Sequence, residues 1–81
     1  MDREEENKLF DATREAVRYL FPADLDDCEL YHREAILDEL DKDEPDTRWI
    51  EYNEICLSAC FFEQRDREKY PWKKREYKKC L

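Results

Sequence analysis

Apolar residues recur along this chain at three- and four-residue steps, the period of a helix and not of a strand. Leu9, Ala12, Ala16 and Leu20 form one such series, with Phe10 and Val17 beside it and Lys8, Asp11, Arg14, Glu15 and Arg18 opposite. The pattern predicts an amphipathic helix over about 3–21. Asp2 and Glu5 have capping-box spacing, and Glu4 to Glu6 suit the positive end of the helix dipole. Pro22 disfavours helical geometry at Phe21 and ends the segment. A second helix is predicted over about 24–42, with Asp24 as N-cap. Its apolar face is read as Leu30, Ile36, Leu37 and Leu40, with Ala35 at the margin. The run DKDEPD, 41–46, reads as a turn.

A third helix is predicted over about 46–69, and it is the most apolar part of the chain. Trp49, Tyr52, Ile55, Cys56, Ala59 and Phe62 make one stripe, and Ile50, Leu57 and Phe61 make another on a different side. Between 55 and 62 the apolar positions point almost all round, and such a helix must be covered on all sides. The two earlier helices flank it, and the uncovered part calls for the C-terminal stretch, a second copy or another protein. That stretch, 71–81, follows Pro71 and sets Trp72, Tyr77, Cys80 and Leu81 among five basic residues. It reads as a short basic helix or tail that folds back on the body. The expected fold is all-α: one domain over 1–81, a small three-helix bundle with a basic aromatic tail.

Composition narrows the function classes. The chain has no glycine, which argues against tight hairpins and phosphate-cradling loops. Charged residues are 47% of the chain, and no apolar run approaches the roughly 18 residues of a membrane span. The acidic start, MDREEENK, is unlike a targeting peptide. The ending KKCL resembles a dilysine retrieval signal, which needs a membrane anchor. A cytoplasmic protein without a membrane partner is expected, its thiols reduced. Residues 1–63 hold 20 acids and 7 bases, while 64–81 hold 3 acids and 8 bases, which together give the net charge of −8. An acidic body is repelled by phosphates, so direct nucleic-acid binding is not expected even of the basic tail.

Two cysteine pairs at helical spacing carry the candidate chemistry. Cys28 and His32 lie four apart on the second helix, and Cys56 and Cys60 four apart on the third. In an antiparallel hairpin turning near residue 44, Cys28 faces Cys60 and His32 faces Cys56. That would set three thiolates and an imidazole in a tetrahedral array suited to zinc. Three readings stay open: small buried hydrophobes, a zinc site, or disulfides such as Cys28–Cys60. The chain resembles small helical-hairpin proteins of the mitochondrial intermembrane space in this respect, but lacks their twin Cx9C and Cx3C spacings. No nucleophile elbow is present, the chain holds one histidine, and no carboxylate pair is singled out, so an enzyme is not expected.

The expected function is a small acidic interaction module that occupies a basic protein surface. Asp26, Asp27, Glu34, Asp38, Glu39 and Asp41 would supply contact charge. Trp49, Ile50, Leu57 and Phe61 would supply apolar anchors or a homodimer seam. In general character such a chain resembles the small acidic inhibitors and DNA mimics of bacteriophages, which implies a nucleic-acid-handling enzyme as target. The alternative is a zinc- or disulfide-stabilised hairpin that serves as a subunit or assembly factor. Zinc is the one cofactor these residues suggest.

Overall fold

Each helix begins where local chemistry starts it. The computed structural model describes residues 1–78, and among them α1 spans Arg3–Val17, α2 Pro22–Leu40 and α3 Thr47–Lys69. The Asp2 carboxylate accepts from the Glu5 amide at 2.8 Å, half of the expected capping box. Asp46 caps α3 by accepting from the amides of Arg48 and Trp49 at 3.0 and 3.3 Å. The start of α2 departs from expectation. Pro22 does not sit in a linker but is the first helical residue, behind an extended Phe21 with no side-chain cap. Proline fits there because its fixed φ is already helical and its missing N–H would go unpaired anyway. Asp24 is therefore inside the helix, not its cap. In consequence α1 stops at Val17 instead of Phe21, and α2 ends at Leu40 instead of 42.

The three helices run up, down and up, with α3 in the middle. Pairs 49 and 50 residues apart, Arg14 with Glu63 and Val17 with Arg67, set α1 parallel to α3. Pairs His32–Asn53, Cys28–Cys60 and Asp26–Gln64 set α2 antiparallel to it. Both outer helices pack on α3 and scarcely touch one another. The apolar core is correspondingly small. Val17, Leu25 and Cys60 form its buried centre, with Leu20 and Cys28 against it. Cys56 and Ala59 are also buried, and Ala59, with no exposure and a single methyl, suits close approach of a neighbouring backbone.

The buried face of α2 is not the predicted one. Leu25, Cys28, His32 and Glu39 turn toward α3, while Leu30, Leu37 and Leu40 remain 50, 57 and 56% exposed. Of the predicted face only Ile36 and the marginal Ala35 are half-buried. The helix carries two stripes that compete for one partner. The hydrogen-bonding stripe won because α3 offers Asn53, Cys60 and Gln64 to it, leaving the greasier leucines outside.

The tail is not helical over its described part: a turn at 71–73, closed by the Lys73 amide on the Tyr70 carbonyl at 3.1 Å, leads into irregular chain that folds back on the body. Arg75 reaches Glu63 and Asp66 at 3.3–3.4 Å, the Lys78 amide donates to the Tyr19 carbonyl at 2.6 Å, and the Tyr77 ring sits 5.4 Å from Phe21. These contacts cover the α1–α3 end of the bundle and do not reach Ile50, Leu57 or Phe61. The last three residues of the expected 71–81 helix or tail, Cys80 and Leu81 among them, lie outside the described residues.

Candidate functional site

The outward face of α2 presents the largest set of expected contact residues. Asp27, Leu30, Glu34, Leu37 and Asp41 follow one another at steps of three, four, three and four, the spacing of a coiled-coil seam. All five are exposed. Each leucine is thus bracketed along the seam by carboxylates, with Asp38 and Leu40 exposed on either flank. Asp26 is exposed too, but its carboxylate accepts from the Gln64 amide at 2.9 Å.

Glu39 departs from its expected role as contact charge. It is 6% exposed and points inward. Its carboxylate accepts from Lys42 Nζ at 2.8 Å and from the Asp46 amide at 2.8 Å, which ties the end of α2 to the start of α3. Those two hydrogen bonds hold its carboxyl below the ordinary value near 4.5. The anchor residues of α3 also divide. Trp49 is 40% exposed and stacks on Tyr52 at 5.5 Å, while Phe61 is 40% exposed beside the half-buried Ile50 and Leu57. The first stripe is open as well, with Phe62 53% exposed.

The four residues of the expected zinc array are not brought together. Cys28 and Cys60 do face each other, their sulfurs 3.8 Å apart with Cys60 as donor. His32 does not face Cys56. Its Nδ1 lies 2.8 Å from Asn53 Oδ1, one turn short of the expected partner. Cys56 instead turns to α1, where its sulfur meets the Thr13 hydroxyl at 3.7 Å. Among the described residues no three Cys, His, Asp or Glu side chains form a group able to hold a metal ion. Cys28, Cys56 and Cys60 are free thiols.

The Cys28–Cys60 contact polarises both thiols. The Cys60 S–H holds the Cys28 thiol down to about 6, against the opposing effect of burial, and His32 adds to the lowering through its charge and a hydrogen bond. The same contact, with burial, pushes the Cys60 thiol up. Asn53 controls the imidazole. Its Nδ2 donates to the Trp49 carbonyl at 2.8 Å, and a carbonyl only accepts, so Oδ1 must face the ring. His32 Nδ1 therefore carries a proton, which leaves Nε2 as the basic nitrogen of the neutral ring. Asn53 was missed in the sequence, where the only signal is an amide set four residues after Trp49 and three before Cys56, among the apolar positions of that helix.

A second buried polar group was equally unforeseen. Glu63, 2% exposed, meets Arg67 at 2.8 Å and Arg14 and Arg75 at 3.4 Å each. One carboxylate thereby joins α1, α3 and the tail. Arg67 also donates to the carbonyls of Leu20, Val17 and Arg18 at 2.7, 3.4 and 3.4 Å, which supplies donors at the negative end of α1. A cleft of about 720 Å³ between α1, α3 and the tail is lined by charges of both signs, including Arg14, Arg18, Glu63, Asp66 and Lys74. No helix of the described residues is long and apolar enough to cross a membrane. No family model, no curated protein and no solved structure matches the chain.

Proposed function

We propose that this protein is a non-enzymatic interaction module that docks a basic partner element on the outward face of α2. The observation that carries the reading is the exposed series Asp27, Leu30, Glu34, Leu37, Asp41. Leucines half in water on a helix surface, at seam spacing, fit an amphipathic helix better than a flat surface. The carboxylates between them select a partner with lysine or arginine at the matching positions. A second copy of this chain is a poor occupant of the seam, because in either orientation Glu34 would face its own equivalent. The net charge of −8 steers the same choice at longer range. A nucleic-acid-handling enzyme is the narrower target this reading suggests.

Burying the exposed half of each leucine is worth about 1 kcal/mol. Replacing both therefore weakens binding by about 30-fold or more. The test is affinity capture from the source cells with the wild type and with Leu30→Asp/Leu37→Asp, followed by titration of the captured partner at rising salt. A partner retained by the wild type, lost by the variant and weakened by salt supports the reading. Equal capture by both proteins, or salt-independent affinity, overturns it. Competition by added DNA for the captured partner tests the narrower target.

A further inference from the structure

The sulfurs of Cys28 and Cys60 are in contact without a bond, 3.8 Å apart across the α2–α3 pair. The two thiols differ in access. Cys28 is half-buried at the rim of the helix pair, and Cys60 has no solvent exposure. An outer thiol that can be reached and an inner thiol that can only reach its neighbour form the order required for thiol–disulfide exchange. The surroundings favour the outer thiol as attacker. His32 stands one helical turn from Cys28, its ring held by the buried Asn53 and braced by the edge of Tyr31 at 5.2 Å. Cys56 is excluded from the pair by its turn toward Thr13 on α1.

We propose that Cys28 and Cys60 form a reactive dithiol that takes a small-molecule disulfide as oxidant and closes to a disulfide bond tying α2 to α3. The Cys28 thiolate attacks one sulfur of the small disulfide. A bond forms between them, the small S–S bond breaks, and one thiolate leaves and takes a proton from water. The Cys60 sulfur then attacks Cys28 in this mixed disulfide. The Cys28–Cys60 bond forms, the second small thiolate leaves, and it takes up the proton that Cys60 gives up. Two electrons pass from the protein thiols to the small disulfide, and two small thiols are the products. His32 and Asn53 are positioning residues: the buried Asn53 amide fixes the His32 ring one helical turn from the thiolate that attacks. The low-lying Cys28 thiol, near 6, agrees with this division of labour. The inference is independent of the docking face on α2, and its failure leaves that reading standing.

The test uses the reduced full-length chain carrying Cys80→Ser, exposed to oxidised glutathione. Intact mass should fall by two hydrogens, about 2 Da, and a non-reducing peptide map should join Cys28 to Cys60. With Cys60→Ser added, the reaction should stop at a glutathione adduct on Cys28. With Cys28→Ser added, neither adduct nor link should form. A folded chain that keeps three free thiols, a link through Cys56, or a glutathione adduct that persists on Cys28 beside an intact Cys60 would overturn the proposal. Should a serine variant fail to fold, alkylation of the parent chain decides the matter. Cys28 should label ahead of Cys56 and Cys60, whereas Cys56 or Cys60 labelling as fast as Cys28 refutes it.

Discussion

Glu63→Gln should be among the most damaging substitutions the chain can carry. The side chain is 2% exposed, and its charge is shared by three guanidinium groups. Two of these, on Arg67 and Arg75, are themselves 11 and 12% exposed. Glutamine keeps the shape and one acceptor oxygen but removes the charge, so buried cations lose their counter-ion. Breaking a buried pair from one side typically costs about 3–5 kcal/mol. Arg14 is 31% exposed and better screened, and the retained amide oxygen still accepts one hydrogen bond. Both points place the loss near the lower bound, about 3 kcal/mol. An 81-residue domain has about 4–12 kcal/mol in total, so a parent at the bottom of that range would keep only about 1 kcal/mol and be marginally folded at 25 °C. Each kcal/mol moves Tm by about 4–8 °C at this size, which predicts a fall of about 12–24 °C. Urea unfolding followed by circular dichroism at 222 nm measures it, together with a double-mutant cycle against Arg75→Gln. The coupling between the two sites should be about 1 kcal/mol and should survive high salt, because the pair is buried. A loss below about 1 kcal/mol, or a coupling abolished by salt, would refute the view of Glu63 as the junction of helix and tail.

Three further outcomes follow from the geometry. Leu30→Asp/Leu37→Asp should cost about 2 kcal/mol of urea stability, the worth of the two buried halves, and a loss above about 4 kcal/mol would show that the leucines pack inside. Closing the Cys28–Cys60 bond links residues 32 apart and should raise stability by about 4 kcal/mol, readable as a shift of the urea midpoint that a reductant reverses. The Glu39 carboxyl is held below its ordinary value, so its contribution is complete above about 4.5 and is lost as pH falls through the lowered value. Urea midpoints measured from about pH 6 down to about pH 3 should therefore decline less steeply at the acid end in Glu39→Gln than in the parent, and identical slopes would remove Glu39 from the account.

The helical fold is legible in the sequence because its signals are local. The cap at Asp2, the proline positions and the three-four spacing each act within one or two turns. The central place of α3 is legible too, since no other segment is apolar on so many sides. The Cys28–Cys60 contact follows from the turn near residue 44. Beyond that, side chains compete. His32 paired with Asn53 and not with Cys56, because helix crossing shifts the register by a few residues along the hairpin. The inward face of α2 was misread because a leucine stripe outweighs a stripe of Cys, His and Glu in any count of apolar residues. Glu63 was hidden for a different reason. Its partner Arg67 is local, but Arg14 is 49 residues distant, and in a chain that is 47% charged one more glutamate carries no mark of burial.

The parallel placement of α1 beside α3 has a bearing on synthesis. α1 leaves the ribosome first, yet the surface it packs on, from Cys56 to Glu63, is made some 49 residues later and scarcely any of it is replaced by α2. At about 5–20 residues per second that is a wait of roughly 2–10 s. During this interval a greasy helix would aggregate or recruit chaperones. The sequence REEENKLFDATREAV, with eight charges in fifteen residues, is suited to wait in water. A nascent chain stalled before Ala59 has left the exit tunnel should accordingly leave α1 open to protease, and release past Lys69 should close it.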